Sequence, residues 1–150
     1  MNSVVIKGAV AEDAKLIAQL SRSTFYDAFA KDNTKENMDD FLSNVFTTEV
    51  LMAEVENGDG IFFLAYVGNE ACGYARMREQ NKENIMANEN AIELARIYTT
   101  QAAVGTGVGA GLMQTCINTA RAMKKNIIWL GVWEKNARAI AFYQKWGFEK

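Results

Sequence analysis

The chain has 150 residues, the size of one domain around one hydrophobic core, and a chain this long buries roughly 68–70% of its unfolded surface without a disulfide or metal staple. An apolar content of 49% with 23% charged residues excludes a disordered chain, and the absence of histidine excludes histidine-based triads, histidine general bases and most zinc or copper sites. The net charge of −2 hides an asymmetry: residues 1–95 carry sixteen acids and eight bases, residues 96–150 two acids and eight bases, a cue for partners of opposite sign unless the charges merely solvate two faces.

No apolar run approaches the roughly 18 residues of a membrane helix. The N-terminus has no basic segment followed by an apolar one, so a cytoplasmic protein is expected. Cys72 and Cys116 form no CxxC pair and lie in apolar segments, as plain buried thiols do.

In chain order, Ser3–Ala9 reads as a strand and Glu12 to about Ala28 as a helix with acids in its first turn and Leu16, Ile17 and Leu20 on one face. Thr34 is a candidate N-cap for a second helix, in which Met38, Phe41, Leu42 and Val45 form an i, i+3, i+4, i+7 stripe. A short helix spans Thr48–Glu56 and stops at Asn57-Gly58. Ile61–Val67 and Ala71–Arg78 flank Gly68-Asn69-Glu70 as a hairpin. Glu79–Asn90 is polar and reads as a loop, and Ala91–Thr99 as a strand. A helix through Leu112, Met113, Cys116, Ile117 and Ala120 ends near Lys124-Lys125, a strand spans Asn126–Trp133, and Asn136 caps a last helix that stops at Gly147. The order predicts a single mixed α/β domain over residues 1–150 with at least one βαβ crossover.

Between the third long strand and the following helix, Gly105, Gly107, Gly109 and Gly111 fall within seven positions. Inside a helix each would cost about 1 kcal/mol relative to alanine. Before one, they let backbone N–H groups and the helix dipole approach an anion, phosphate being the obvious one, although a tight packing turn is the plainer use. A Walker loop is excluded, because no lysine lies between Lys82 and Lys124. A dinucleotide fingerprint matches at Gly105, Gly107 and Ala110, with Glu134 after the next strand, but too little chain follows to complete a doubly wound sheet.

The loop resembles the Gln/Arg-x-x-Gly-x-Gly/Ala signature of the Gcn5-related N-acetyltransferases, matched at Gly107 and Gly109 after the strand Glu93-Leu94-Ala95-Arg96-Ile97-Tyr98. The last helix carries that family's second pattern as Asn136, Ala139, Phe142, Tyr143, Gly147 and Phe148. The stretch Ile128–Asn136, with Thr24, Phe25 and Phe29, is more narrowly similar to spermidine/spermine acetyltransferases of the PaiA type. Two departures stand out. Val104 and Thr106 occupy positions where the family favours polar or basic side chains, and the chain stops at Lys150, inside what would be a sixth strand. The family's closing strand pair is therefore expected to be truncated, or the sheet edge completed by another chain, as in a homodimer.

The resemblance implies a mixed, largely antiparallel sheet with splayed parallel fourth and fifth strands, helices on both faces, and acetyl-coenzyme A between the splayed strands. It assigns the acetyl and pantetheine contacts to the backbone of Ile97, Tyr98 and Thr99 and the pyrophosphate to Val104, Gly105, Thr106, Gly107, Val108, Gly109 and Ala110. Asn136 would reach the pantetheine arm, and no metal takes part. An amine would attack the thioester directly. Glu93 is the first candidate for accepting its proton through water and Glu134 the second, and Tyr143 occupies the family's acid position beside the leaving thiolate. Each has a plain structural reading, as strand-end charges, an N-cap or a core aromatic.

Nine acids against two lysines between Asp27 and Asp59 would attract a polyamine to the acceptor side, which Phe25, Tyr26 and Phe29 would line together with Glu93. Two other readings stay open: acetylation of a protein N-terminus or lysine, and a non-catalytic acetyl-coenzyme A-binding regulator. The small net charge and lack of a basic stripe argue against direct nucleic-acid binding, and nothing suggests a membrane partner.

Overall fold

A central strand whose two faces enter different cores sets the architecture. In β2 (Ile61–Val67), Phe62 and Leu64 face one side while Ile61, Phe63 and Ala65 face the other. The computed structural model describes residues 3–79 and 90–150. Here β1 (Val4–Gly8), β2, β3 (Glu70–Glu79), β4 (Ala91–Thr99) and β5 (Ile127–Trp129) form one sheet in the order β1-β2-β3-β4-β5. All neighbours are antiparallel except β4 and β5, which are parallel.

Helices cover both faces. On one lie α1 (Ala14–Phe29) and α3 (Thr48–Glu56), where Ala14, Ile17, Leu20 and Val55 bury against Phe62, Leu64 and Tyr74. On the other lies α4 (Val108–Ala122), whose Val108, Leu112, Met113 and Cys116 bury against Ala65, Ala75, Met77, Ile92 and Leu94. Glycine permits the close approach of α4: a Cβ on Gly73 of β3 would stand 2.8 Å from Val108 Cγ1. Phe142 and Tyr143 of α5 (Ala137–Lys145), with its C-cap Trp146, pack onto the rim of that second core. α2 (Lys35–Asn44) is tied to α1 through Arg22, whose Nη1 donates to Leu42 O and Phe46 O, and through Phe25, which stacks on Phe41 at 4.7 Å.

Thr34 and Thr47 cap α2 and α3, accepting from Asn37 N and Val50 N, and Asn136 caps α5, accepting from Ala139 N at 3.1 Å. Several boundaries differ from expectation. The first helix opens with a 3-10 turn over Ala11–Asp13, whose Asp13 carboxylate accepts from Val10 N. In the α2 stripe only Met38 is buried, and Val45 is the exposed C-cap. The hairpin turns in two residues, Gly68 and Asn69, with Gly68 at φ +63°. The fifth strand pairs only over Ile127–Trp129, not to Trp133. The loop expected over Glu79–Asn90 falls almost wholly outside the described residues. Both cysteines are free and buried, and burial pushes the Cys116 thiol up to about 12.

Candidate active site

A fork in the sheet is the site's frame. β4 and β5 pair at Ala91–Ile127, Ile92–Ile128 and Glu93–Trp129 and then part. Beyond Glu93, β4 keeps only β3 as a partner, and Ala95 is the extra residue of a bulge, because Arg76 faces Arg96 while Met77 faces Leu94. The edge of Leu94–Thr99 away from β3 therefore has no strand paired to it among the described residues. This is the edge along which Ile97, Tyr98 and Thr99 are expected to hold a thioester and its arm.

At the C-terminal end of β4, the glycine loop turns into α4. Gly105 at φ +82° and Gly107 at φ +94° take left-handed conformations, and Gly107 is the N-cap. A Cβ on either would meet nothing within 4 Å, so their requirement is conformational. Val108, Gly109 and Ala110 form the first helical turn, whose N–H groups have no intrahelical acceptor. A Cβ on Gly109 would lie 3.4 Å from the Phe142 ring, an ordinary contact distance, so α5 lies beside the start of α4. The Thr106 hydroxyl donates to Ala103 O, and Val104 is extended and exposed. An anion here would therefore meet backbone amides rather than charged side chains.

Tyr143 projects from α5 edge-on to Phe142 and Phe148, ring centroids 5.7 and 5.8 Å away. Burial pushes its phenol up to about 12, with Tyr98 of β4 adding to the shift. The two phenols are therefore within electrostatic reach of each other. Asn136 Oδ1 is engaged in capping α5.

The opposite face of the fork carries the remaining candidates. Glu93 is 9% exposed and accepts from Arg78 Nε, its cross-strand neighbour. Trp129 opposes it across the parallel pair. Glu134 lies in an exposed turn five residues beyond the end of β5 and is not gathered with Glu93 by any contact among the described residues. Phe25 belongs to an aromatic cluster with Phe29, Phe41 and Phe46 at 4.6, 4.7 and 5.2 Å. Phe29 carries that cluster to the fork, 5.7 Å from Trp133. Tyr26 is exposed on another side of α1. Of the nine acids, eight are exposed, but Glu54 is taken up by Arg76 and Arg96. Sequence reasoning missed this cluster and Trp133, because their partners lie far away along the chain. No group of metal ligands occurs among the described residues, and no helix there is long and apolar enough to cross a membrane.

Residues 17–148 match the acetyltransferase (GNAT) family. An uncharacterized N-acetyltransferase of Lactobacillus delbrueckii subsp. lactis is 31% identical over all of this chain and 87% of its own length. Another, from Mycobacterium tuberculosis, is 38% identical over 65 residues, covering 43% of this chain and 42% of that protein. Among solved structures, a PaiA N-acetyltransferase from Thermoplasma acidophilum in complex with coenzyme A superposes with a TM-score of 0.82 at 19% identity, over 98% of this chain and 90% of that one. An aminoglycoside acetyltransferase from an uncultured soil metagenomic sample, in complex with sisomicin, gives 0.73 at 14% identity, over 98% and 90%. With the forked mixed sheet, the glycine loop opening α4 and a family match over most of its length, the chain belongs to the GNAT acetyltransferases and is an N-acetyltransferase.

Proposed function

We propose that the chain transfers the acetyl group of acetyl-coenzyme A to a primary amine of a polyamine such as spermidine. The observation that carries this reading is the fork with two chemically distinct approaches. On the α4 side, free first-turn amides at Val108–Ala110 suit a pyrophosphate, and Leu94–Thr99 offer unpaired backbone to a pantetheine arm. On the α1 side, Asp27, Asp32, Glu36, Asp39 and Asp40 are exposed around half-buried Phe25, Phe29 and Phe41, a surface that suits ammonium groups joined by methylene chains.

The amine nitrogen attacks the thioester carbonyl, the carbon–sulfur bond breaks, and the thiolate leaves with a hydrogen bond from Tyr143. No covalent enzyme intermediate is required, and much of the acceleration comes from holding amine and thioester together. Glu93 holds the water that accepts the proton shed by the nitrogen once the carbon–nitrogen bond has formed. Asn136 meets the pantetheine arm through the part of its amide not used in the cap.

Salt dependence tests the acceptor. Apparent affinity for a triamine should fall steeply as the screening length shortens from roughly 30 Å at 0.01 M to 8 Å at 0.15 M, while a monoamine of similar length responds little. Equal responses would remove the polyamine and leave a general amine acetyltransferase. Efficient use of a peptide in preference to the triamine would favour acetylation of a protein N-terminus or lysine.

A further inference from the structure

Arg96 is the first residue of β4 after the bulge at Ala95, where the strand has already lost β5. From α3, Glu54 receives its Nη1 at 2.7 Å and its Nη2 at 3.0 Å. The same carboxylate also receives Arg76 Nη1 from β3 at 3.4 Å. Asp59 O satisfies the rest of the Arg76 guanidinium, accepting from Nε at 3.0 Å and Nη2 at 2.5 Å. Two guanidinium groups thus share one carboxylate, an excess of one positive charge that is largely removed from water.

Among the described residues, Glu54 is the only carboxylate paired with either guanidinium. Glu93 is engaged by Arg78, the exposed Asp59 carboxylate acts on Arg76 only as the smallest of its electrostatic influences, and Arg22 of α1 is engaged by the carbonyls of Leu42 and Phe46. Tyr74 of β3 and Tyr98 of β4 are buried phenols, both raised by burial and both eased by the charge of Arg96. Burial is the largest influence on Arg96 and opposes its charge, but the Glu54 hydrogen bonds, with the electrostatic contributions of Tyr74, Glu54 and Tyr98, together hold the guanidinium charged. The Phe46 ring packs on Arg96 at 5.0 Å, joining this charge to the aromatic cluster that leads to Trp133 and the fork.

An alkylamine attacks a thioester only as the free base, and its ordinary pKa of about 10.4 keeps it protonated at neutral pH. A like charge nearby and loss of solvent both favour the neutral amine. We propose that Arg96, left in excess of carboxylate by the Arg76–Glu54–Arg96 arrangement, lowers the proton affinity of the acceptor amine as it enters the fork. The proton leaves to water on the open α1 side and the amine arrives ready to attack. Distal ammonium groups stay at the acidic rim, and only the reacting nitrogen meets the buried cation. This inference rests on the amine-acetyltransferase reading above.

The test is the pH dependence of kcat for two primary amines whose own pKa values differ by about two units. In the wild type, the rising limb should move with the acceptor and lie at least about one unit below that amine's value in water. Arg96→Met should move the limb up by about one unit, a tenfold loss of kcat below it. Arg96→Lys keeps the charge and should leave the limb close to the wild-type position. A wild-type limb that is the same for both amines belongs to a protein group and overturns the inference, as does a limb at the amine's free value. Both results are read without any variant. An Arg96→Met limb that does not move overturns it too. Failure of the wild type to acetylate either amine would instead overturn the parent reading.

Discussion

Tyr143 shows how packing decides what a side chain can do. Its phenol lies between Phe142 and Phe148 and within reach of Tyr98, and burial pushes it up to about 12. The shift favours the protonated form, so the hydroxyl keeps its hydrogen across the whole neutral range and supplies a hydrogen bond. Full proton transfer to a thiolate whose thiol has a pKa near 8.5 runs uphill. Tyr143→Phe keeps the ring contacts and deletes the donor. Turnover should fall by at least about tenfold, toward the 10²–10⁴-fold range of general-acid loss, with coenzyme A affinity nearly unchanged. Pre-steady-state thiol release alongside calorimetric binding separates the two, and wild-type turnover would make Tyr143 a core aromatic only.

Among elements, the start of α4 allows a test that parts helix stability from ligand binding. Ala110 is exposed at the third helical position after the Gly107 N-cap, where an acid complements the helix dipole by about 0.3–1 kcal/mol. Ala110→Glu should therefore leave the melting temperature unchanged or slightly higher while weakening coenzyme A binding by at least about tenfold. Unchanged affinity would mean that phosphates do not lie there. Substituting Gly107 is a poorer probe, because φ +94° strains any L side chain. The loop was legible in the sequence for the same reason: left-handed turns at Gly105 and Gly107 call for glycine. β2 and β3 were legible as two strand-prone runs flanking the turn residues Gly68-Asn69-Glu70. The end of β5 was not, since Leu130, Val132 and Trp133 are apolar and strand-compatible whether or not a neighbour pairs with them. The Arg96–Glu54 contact, 42 residues apart, and Arg76–Glu54, 22 apart, left no local periodicity to read.

Across the molecule, the proposed function gives the fork two approaches, of which only the acceptor side carries charged side chains, since the glycine loop has none. The exposed acids of α1, the α1–α2 turn and α2 border one approach, and the glycine loop with its helix dipole borders the other. Glu54 was counted with the acids in the sequence, but it is neutralised inside the fold and belongs to the buried cationic cluster. The account's central claim is that both approaches serve one transfer, from acetyl-coenzyme A on the loop side to an amine on the acid side. The most direct measurement is mass-spectrometric identification of products when this 150-residue protein is mixed with acetyl-coenzyme A and an equimolar panel of triamine, monoamine and lysine peptide at low salt. The account predicts mono-acetylated triamine as the dominant product, formed one for one with free coenzyme A. Tight binding of acetyl-coenzyme A with no acetylated product from any acceptor would contradict it.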